Sequence, residues 1–215
     1  MRTNSLANKK VLITCGPTWV SIDTMRVISN QSTGAMGQQI AKDFTRQGAG
    51  VTLLEGPVAN PLHSKTIRVL KFQFFDDFTA ILKKELQKKY DICIHAAAVS
   101  DYKIRKPFKT KLGSGQKILS LELVATPKII NQIKRINPSL TLVGFKLESK
   151  MNKTTAVRES RKLFEQARCN YVVANSFQNG NYSGYILDKD LKFLSHQKSR
   201  LKLSQSLIGI IKEEL

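Results

Sequence analysis

Short continuous apolar runs alternate along the chain with stretches in which apolar residues recur every three or four positions. That alternation predicts βαβ units and a mainly parallel sheet. Residues 11–15 (VLITC), 51–55 and 67–70 predict three strands, and residues 91–99 a longer buried one ending at Ser100, Asp101 and Tyr102. Residues 140–145 and 171–175 predict two more core strands. Helical spacing fills the intervals. Met36, Ile40, Ala41 and Phe44 share one face, with Gly48 placed to stop the helix. Phe78, Ile81, Leu82 and Leu86 follow a start at Asp76 or Asp77. Ile129, Ile130, Ile133 and Ile136 face inward behind Thr126 as N-cap and Pro127 as first helical residue. Ala156, Ser160, Leu163, Phe164 and Ala167 form a further face from about residue 154.

Leu119, Leu121 and Leu123 alternate with polar residues and read as a half-exposed strand. Residues 185–187 and 191–194 read as a hairpin turned by Asp188, Lys189 and Asp190, and Leu207, Ile208, Ile211 and Leu215 as a closing helix. Residues 103–117, rich in lysine with two glycines, read as a mobile loop. No repeat or linker divides the chain. The expectation is an α/β fold in one domain over residues 1–215: a Rossmann-like three-layer sandwich with a mainly parallel central sheet, a small C-terminal hairpin, and residues 1–9 as a disordered lead-in.

Composition narrows the chemistry. No apolar run approaches the roughly 18 residues of a membrane span, and the polar start lacks the apolar stretch of a secretion signal. Cys15, Cys93 and Cys169 are far apart with no C-x-x-C pair, and His63, His95 and His196 are equally scattered. Neither a zinc ribbon, a disulfide framework nor a protein-built metal site is indicated. Buried cysteines in a reducing cytoplasm fit better. The chain has 35 Lys+Arg against 16 Asp+Glu, a formal charge of +19. That suits nucleic acid or a substrate with several phosphates. The basic residues are spread along the chain, including Lys83, Lys84, Lys88 and Lys89 on a helix, and no RNP or helix-turn-helix pattern occurs. A solvated basic surface is favoured over specific nucleic-acid recognition.

Ligands of open parallel sheets bind beyond the carboxyl ends of the strands. Those ends are Gly16, Pro17 and Thr18; Ser100, Asp101 and Tyr102; Phe145; and Asn175. A dinucleotide fingerprint would join the first strand directly to its helix through G-x-G-x-x-G. Here Gly34 and Gly37 come only after an excursion containing Asp23, Arg26, Ser29 and Asn30. Preceded by Ser32 and Thr33, they suit a helix start whose N–H groups cradle an anion. An NAD(P) oxidoreductase is therefore the alternative, not the first reading, and a basic nucleic-acid-binding module is another.

Several ordered motifs turn this into a specific resemblance. They are Gly16, Pro17, Thr18; Ile22, Asp23; Arg26 before Val27, Ile28, Ser29, Asn30; and Ser32, Thr33, Gly34, Met36, Gly37. Ala97, Ala98, Val99, Ser100, Asp101, Tyr102 follow, then Thr126, Pro127, Lys128, Ile129, Ile130; Val143, Gly144, Phe145; and Ala174, Asn175. Together they resemble the phosphopantothenoylcysteine synthetase (phosphopantothenate–cysteine ligase) family, in its order, over roughly residues 9 to 212. The flavin-containing decarboxylase half fused to many bacterial members is not found here, so the resemblance is to the stand-alone form.

The resemblance implies a cytoplasmic, homodimeric ligase of coenzyme A biosynthesis that uses CTP and Mg²⁺. The carboxylate of 4′-phosphopantothenate attacks CTP to give an acyl-cytidylate and pyrophosphate, and L-cysteine then displaces CMP. It implies Asn30 as the residue holding the acyl-cytidylate, through its amide, where the residues alone suggest a turn. Arg26 supports that loop or meets phosphate, and Gly34, Met36, Gly37 and Ala98 meet substrate. Gly16, Asp101, Pro127, Lys128, Ile129, Ile130, Phe145 and Lys162 fall to the nucleotide. Asp101 would receive a ribose hydroxyl or sit near the metal, or simply cap a helix. Phe145 would pack on the base or in the core. Lys162 matches one of two family lysines, and the second position holds Gln166. Lys111 is the catalytic flap lysine, with Lys109 its rival. No protein-built metal site is implied. The half-exposed segments at 119–123 and 185–194 are the candidate dimer contacts.

Overall fold

Residues 11–15 are buried on both faces, which a strand achieves only with helices on either side of its sheet. In the computed structural model, which describes residues 6–115 and 117–214, this strand is β1 (Lys10–Cys15). There follow β2 (Trp19–Ser21), β3 (Val27–Ser29), α1 (Ala35–Arg46), β4 (Gly50–Glu55), β5 (Arg68–Lys71), α2 (Phe75–Leu86) and β6 (Ile92–His95). Then come β7 (Tyr102–Ile104), β8 (Leu123–Ala125), α3 (Ile130–Ile136), β9 (Thr141–Glu148), α4 (Lys153–Ala167), β10 (Tyr171–Gln178), β11 (Asn181–Asp188), β12 (Phe193–Gln197) and α5 (Arg200–Glu214).

Eight strands form one sheet in the order β12-β11-β10-β9-β6-β1-β4-β5. Pairing is parallel from β10 through β5 and antiparallel at β10–β11 and β11–β12. The Rossmann-like fold expected from the alternation is the one that forms. Side-chain alternation sorts the helices into two layers. Val11, Ile13 and Cys15 pack with Ile40 and Phe44 of α1 and with Leu203 and Leu207 of α5. Leu12, Cys93 and Val172 pack with Phe78 and Leu82 of α2, Ile133 of α3 and Ala167 of α4. From β1 the sheet runs one way into β4 and the other into β6. The carboxyl ends of β1 and β6 therefore flank the crevice where such folds bind ligands.

Several local expectations are corrected. Of the supposed lead-in, residues 1–5 lie outside the described residues, and Leu6 is buried in the core with α1. Thr126 is not a helix cap: its hydroxyl donates to the Ser100 carbonyl at 2.6 Å, and α3 starts only at Ile130, beyond Pro127. Ile136 lies on the exposed side of that helix. The strand expected over 119–123 is β8, which begins at Leu123 and pairs with β7. The C-terminal hairpin does form, and β11 and β12 extend the main sheet with Tyr185, Ile186 and Leu187 buried. Within residues 185–194, the first three are buried and residues 188–194 are half-buried or exposed. The excursion after β1 contains the small β2–β3 hairpin.

Helix α1 lies unusually close to β1. A Cβ at Gly37 would sit 2.4 Å from Cys15 Cβ, with the Thr14 carbonyl oxygen at 3.4 Å. Both neighbours are fixed in the central strand, so Gly37→Ala must push the helix away. Urea unfolding should show a loss of about 1–3 kcal/mol, the usual range for overpacking a closed core. An unchanged midpoint would contradict the tight α1–β1 contact.

Candidate functional site

The ladder between β1 and β6 continues past the helix layers and builds a wall. Ala98 N–H donates to the Gly16 carbonyl at 2.9 Å, and Thr18 N–H returns to the Ala98 carbonyl at 3.3 Å. Ser100 is fixed to Thr18 by its own N–H, which donates to Thr18 Oγ1 at 2.9 Å, and by its hydroxyl, which donates to the Thr18 carbonyl at 3.1 Å. With Thr126 bound to Ser100, three separate segments are locked at the carboxyl edge of the sheet.

A cavity of about 590 Å³ opens beside this wall. One side is the start of α1, lined by Ser32, Thr33, Gly34, Met36 and Gly37. Gly34 is the N-cap residue in a left-handed conformation (φ 70°), and having no side chain it leaves the Ala35 N–H to Thr33 Oγ1 at 3.4 Å. The N–H groups of the first turn after Ala35 have no helical carbonyl to meet, and the helix dipole adds its positive end there for an anion. The opposite side carries Ala98, Asp101, Pro127, Lys128, Ile129, Ile130, Lys146 and Lys162. Phe145 of β9 and Asn175 of β10 also line the cavity.

Eleven residues anticipated from the sequence meet here: Gly34, Met36, Gly37, Ala98, Asp101, Pro127, Lys128, Ile129, Ile130, Phe145 and Lys162. Asp101 accepts a hydrogen bond from Lys128 Nζ at 2.6 Å, and both side chains are exposed, so the pair is easily exchanged for a ligand. Lys162 donates to Glu159, which also accepts from Arg158 and faces Lys146 at 3.6 Å. The Arg158 hydrogen bond first, then those of Lys162, hold this carboxyl below the ordinary range against its burial. One buried carboxylate therefore anchors two cavity lysines.

Four anticipated residues stand off the cavity. Gly16 (φ 78°) acts through its backbone in the wall, with Gly56 and Val58 closing the space a side chain would need. Asn30 sits on the rim: its amide nitrogen donates to the carbonyls of Ala98 at 3.1 Å and Val99 at 3.3 Å. The group expected to donate to a reacting oxygen is thus engaged by backbone. Arg26 Nη2 donates to the Leu112 carbonyl at 2.8 Å, and Lys111 is exposed on the adjoining loop, as is Lys109.

Asn175 was expected as a strand end, whereas Tyr182, Arg200 and His95 were not assigned to the site. Asn175 is buried, hydrogen-bonded to the Tyr182 hydroxyl, and its Oδ1 has no partner among the described residues. Tyr182 in turn reaches Met36 Sδ at 3.7 Å, joining β11 to the start of α1. Arg200 stacks over the Phe177 ring at 4.4 Å on the same side. His95 lies at the end of β6, its Nδ1 3.0 Å from Thr14 Oγ1, which also accepts the Ala97 N–H. Antiparallel pairing of β10 and β11 brings the first group together, so no sequence spacing announces it.

The acid at the end of β4 decides against a dinucleotide reading. In such folds that position holds a ribose. Glu55 is fully buried and consumed internally, accepting from Gln38, Lys71 and the Leu62 N–H.

The DNA/pantothenate metabolism flavoprotein C-terminal domain family matches residues 6–211. The coenzyme A biosynthesis bifunctional protein CoaBC of Thermococcus kodakarensis is 37% identical over 179 residues, covering 83% of this chain and 44% of that protein. The chain spans about half the length of the curated relatives it matches. A solved structure described as the C-terminal domain of CoaBC aligns with a TM-score of 0.79 at 26% identity, over 99% of this chain and 98% of that one. The DNA/pantothenate metabolism flavoprotein from Streptococcus pneumoniae shares the fold with a TM-score of 0.86 at 24% identity, over 96% of this chain and all of that one.

Burial pushes the His95 imidazole down to about 4 from 6.5. Between these values the unfolded chain takes up a proton that the folded chain refuses, so stability is full above pH 6.5 and falls as pH drops through this window. The shift corresponds to roughly 3 kcal/mol. Urea unfolding at pH 7 and pH 4 should show this loss in the wild type and most of it absent in His95→Gln. Equal pH slopes would contradict a buried neutral His95.

Proposed function

The chain belongs to the DNA/pantothenate metabolism flavoprotein C-terminal domain family, and on that premise we propose that it is a phosphopantothenate–cysteine ligase of coenzyme A biosynthesis. It activates 4′-phosphopantothenate with CTP as an acyl-cytidylate, releasing pyrophosphate, and transfers the acyl group to L-cysteine, releasing CMP. The observation that carries this reading is one cavity with a glycine-led helix start on one side and three lysines on the other.

A carboxylate resists attack by an amine because its leaving group would be oxide. Coupling it to a nucleotide phosphate supplies a good leaving group, but two anions must first be brought together. Lys128, Lys146 and Lys162 and the N–H groups after Gly34 lower that repulsion and hold the phosphates in place. Lys146 stands beside Lys162 where Gln166 leaves a charge missing. Asp101 takes a ribose hydroxyl and Phe145 packs on the base. Mg²⁺ enters as part of the nucleotide substrate.

Asn30 holds the rim carbonyls with its nitrogen and keeps its oxygen for the intermediate. Cysteine attacks the acyl carbon with its neutral amine, and Lys111, on the loop beside this hairpin, reaches in to assist. The three cysteines are free and buried, which suits the reducing cytoplasm. No helix among the described residues is long and apolar enough to cross a membrane.

The second copy of a homodimer covers the exposed apolar residues Met25, Ile28, Tyr102, Phe108, Leu119 and Leu123. They lie on or beside the β2–β3 and β7–β8 hairpins, and β2 and β7 contact each other.

Pyrophosphate release should require CTP and 4′-phosphopantothenate together, with ATP competing poorly. Asn30→Asp should leave one equivalent of pyrophosphate per site but slow CMP release about 100-fold or more, the signature of a lost interaction in the second step. No pyrophosphate with any nucleotide would refute the ligase. Separately, sedimentation velocity should show a dimer that Ile28→Asp splits into folded monomers; a monomeric wild type would refute the assembly.

A further inference from the structure

Three hydrogen bonds tie the lysine-rich loop after β7 to the β2–β3 hairpin. Phe108 N–H donates to the Ile22 carbonyl at 2.9 Å, and Leu112 is gripped on both sides of its backbone. Its N–H donates to Asp23 Oδ2 at 3.1 Å, and its carbonyl accepts from Arg26 Nη2 at 2.8 Å. Lys109, Thr110 and Lys111 form the short arc between the two fixed points.

Asp23 is built for this grip. Its side chain is fully buried, and its Oδ1 accepts the N–H groups of Met25 and Arg26 at 2.8 Å each, closing the turn that carries Arg26. The second oxygen is left to face Leu112, with Arg26 Nη1 3.6 Å away. The Leu112 N–H is the largest of the causes that hold this carboxyl below its ordinary range. No part of the reaction described above uses Asp23.

We propose that Asp23 is a positioning residue: with Arg26 it latches Leu112 and so fixes the arc that carries Lys109 and Lys111. Strand β3 runs from this turn directly into Asn30, whose amide grips Ala98 and Val99 at the rim. The latch thereby sets the loop in register with the cavity edge. Two pinned ends leave a three-residue arc little backbone freedom, and the entropy of placing a lysine near the acyl group is settled before substrate arrives. The kinetic consequence rests on the ligase reading; the latch itself does not.

Hydrogen exchange on the ligand-free chain tests the latch directly. Asp23→Asn disturbs the turn as well as the loop, so Leu112→Pro is the sharper variant: it removes one N–H donor and leaves Asp23 in place. Both should speed exchange at residues 108–114 about tenfold, as expected when a local opening loses one strong bond. Leu112→Ala keeps the N–H and should exchange like the wild type. In coupling assays the first two variants should lower kcat about tenfold, with the KM for CTP within about twofold, the pattern of lost positioning without lost nucleotide binding. Unchanged exchange in Leu112→Pro overturns the latch, and faster exchange with an unaltered kcat overturns its positioning role. A wild type that makes no product while Leu112→Pro still opens the loop removes the ligase reading and leaves the latch standing.

Discussion

Everything at the carboxyl edge depends on the contact between α1 and β1. Gly37 has no side chain, so the helix lies against Cys15 closely enough for its first turn to overhang the strand ends. Gly34 then lets the backbone turn into the helix through a left-handed conformation that most residues avoid. A longer residue at either position would move the helix start, and with it the N–H groups, Met36 and its contact to Tyr182. Backbone placement comes first in this site, and side-chain chemistry is hung on it.

Charge is distributed by the same logic. The formal charge of +19 says little about where cations are useful. What matters is that few carboxylates are buried near the cavity and each has a defined job. Glu159 gathers Arg158, Lys162 and Lys146. Glu55 ties down the loop behind Gly16. Asp101 is exposed and loosely paired. Each cavity lysine thus rests against a carboxylate, Lys128 on Asp101 and Lys146 and Lys162 on the shared Glu159.

The core was legible because β1, β4 and β6 are buried on both faces and most of their residues are apolar. Most of the cavity wall was legible too, through glycines at a helix start and the run around Pro127. Elements with exposed faces were not. The strands β2 and β3 are three residues long, with β3 exposed throughout, so no period marks them. Thr126 and Pro127 carry the sequence features of a helix start, yet tertiary contact with Ser100 takes the threonine hydroxyl and delays the helix. Asn175, Tyr182 and Arg200 meet through sheet order and a helix packed across it, relations that single-sequence spacing does not encode. Gly16 was assigned to the nucleotide through the resemblance; its backbone stands in the wall, with Gly56 and Val58 closing the space a side chain would need.

The oxygen of Asn175 bears on how selectively the cavity can be filled. The residue is buried at the cavity edge, and among the described residues no donor reaches its Oδ1. Pairing of β10 with β11 and the contact to Tyr182 hold the amide in place. An acceptor fixed before a ligand arrives has little freedom left to lose on binding. A molecule that presents a donor there is therefore separated from a close analogue that lacks one, by the shape of the sheet and not by any added charge.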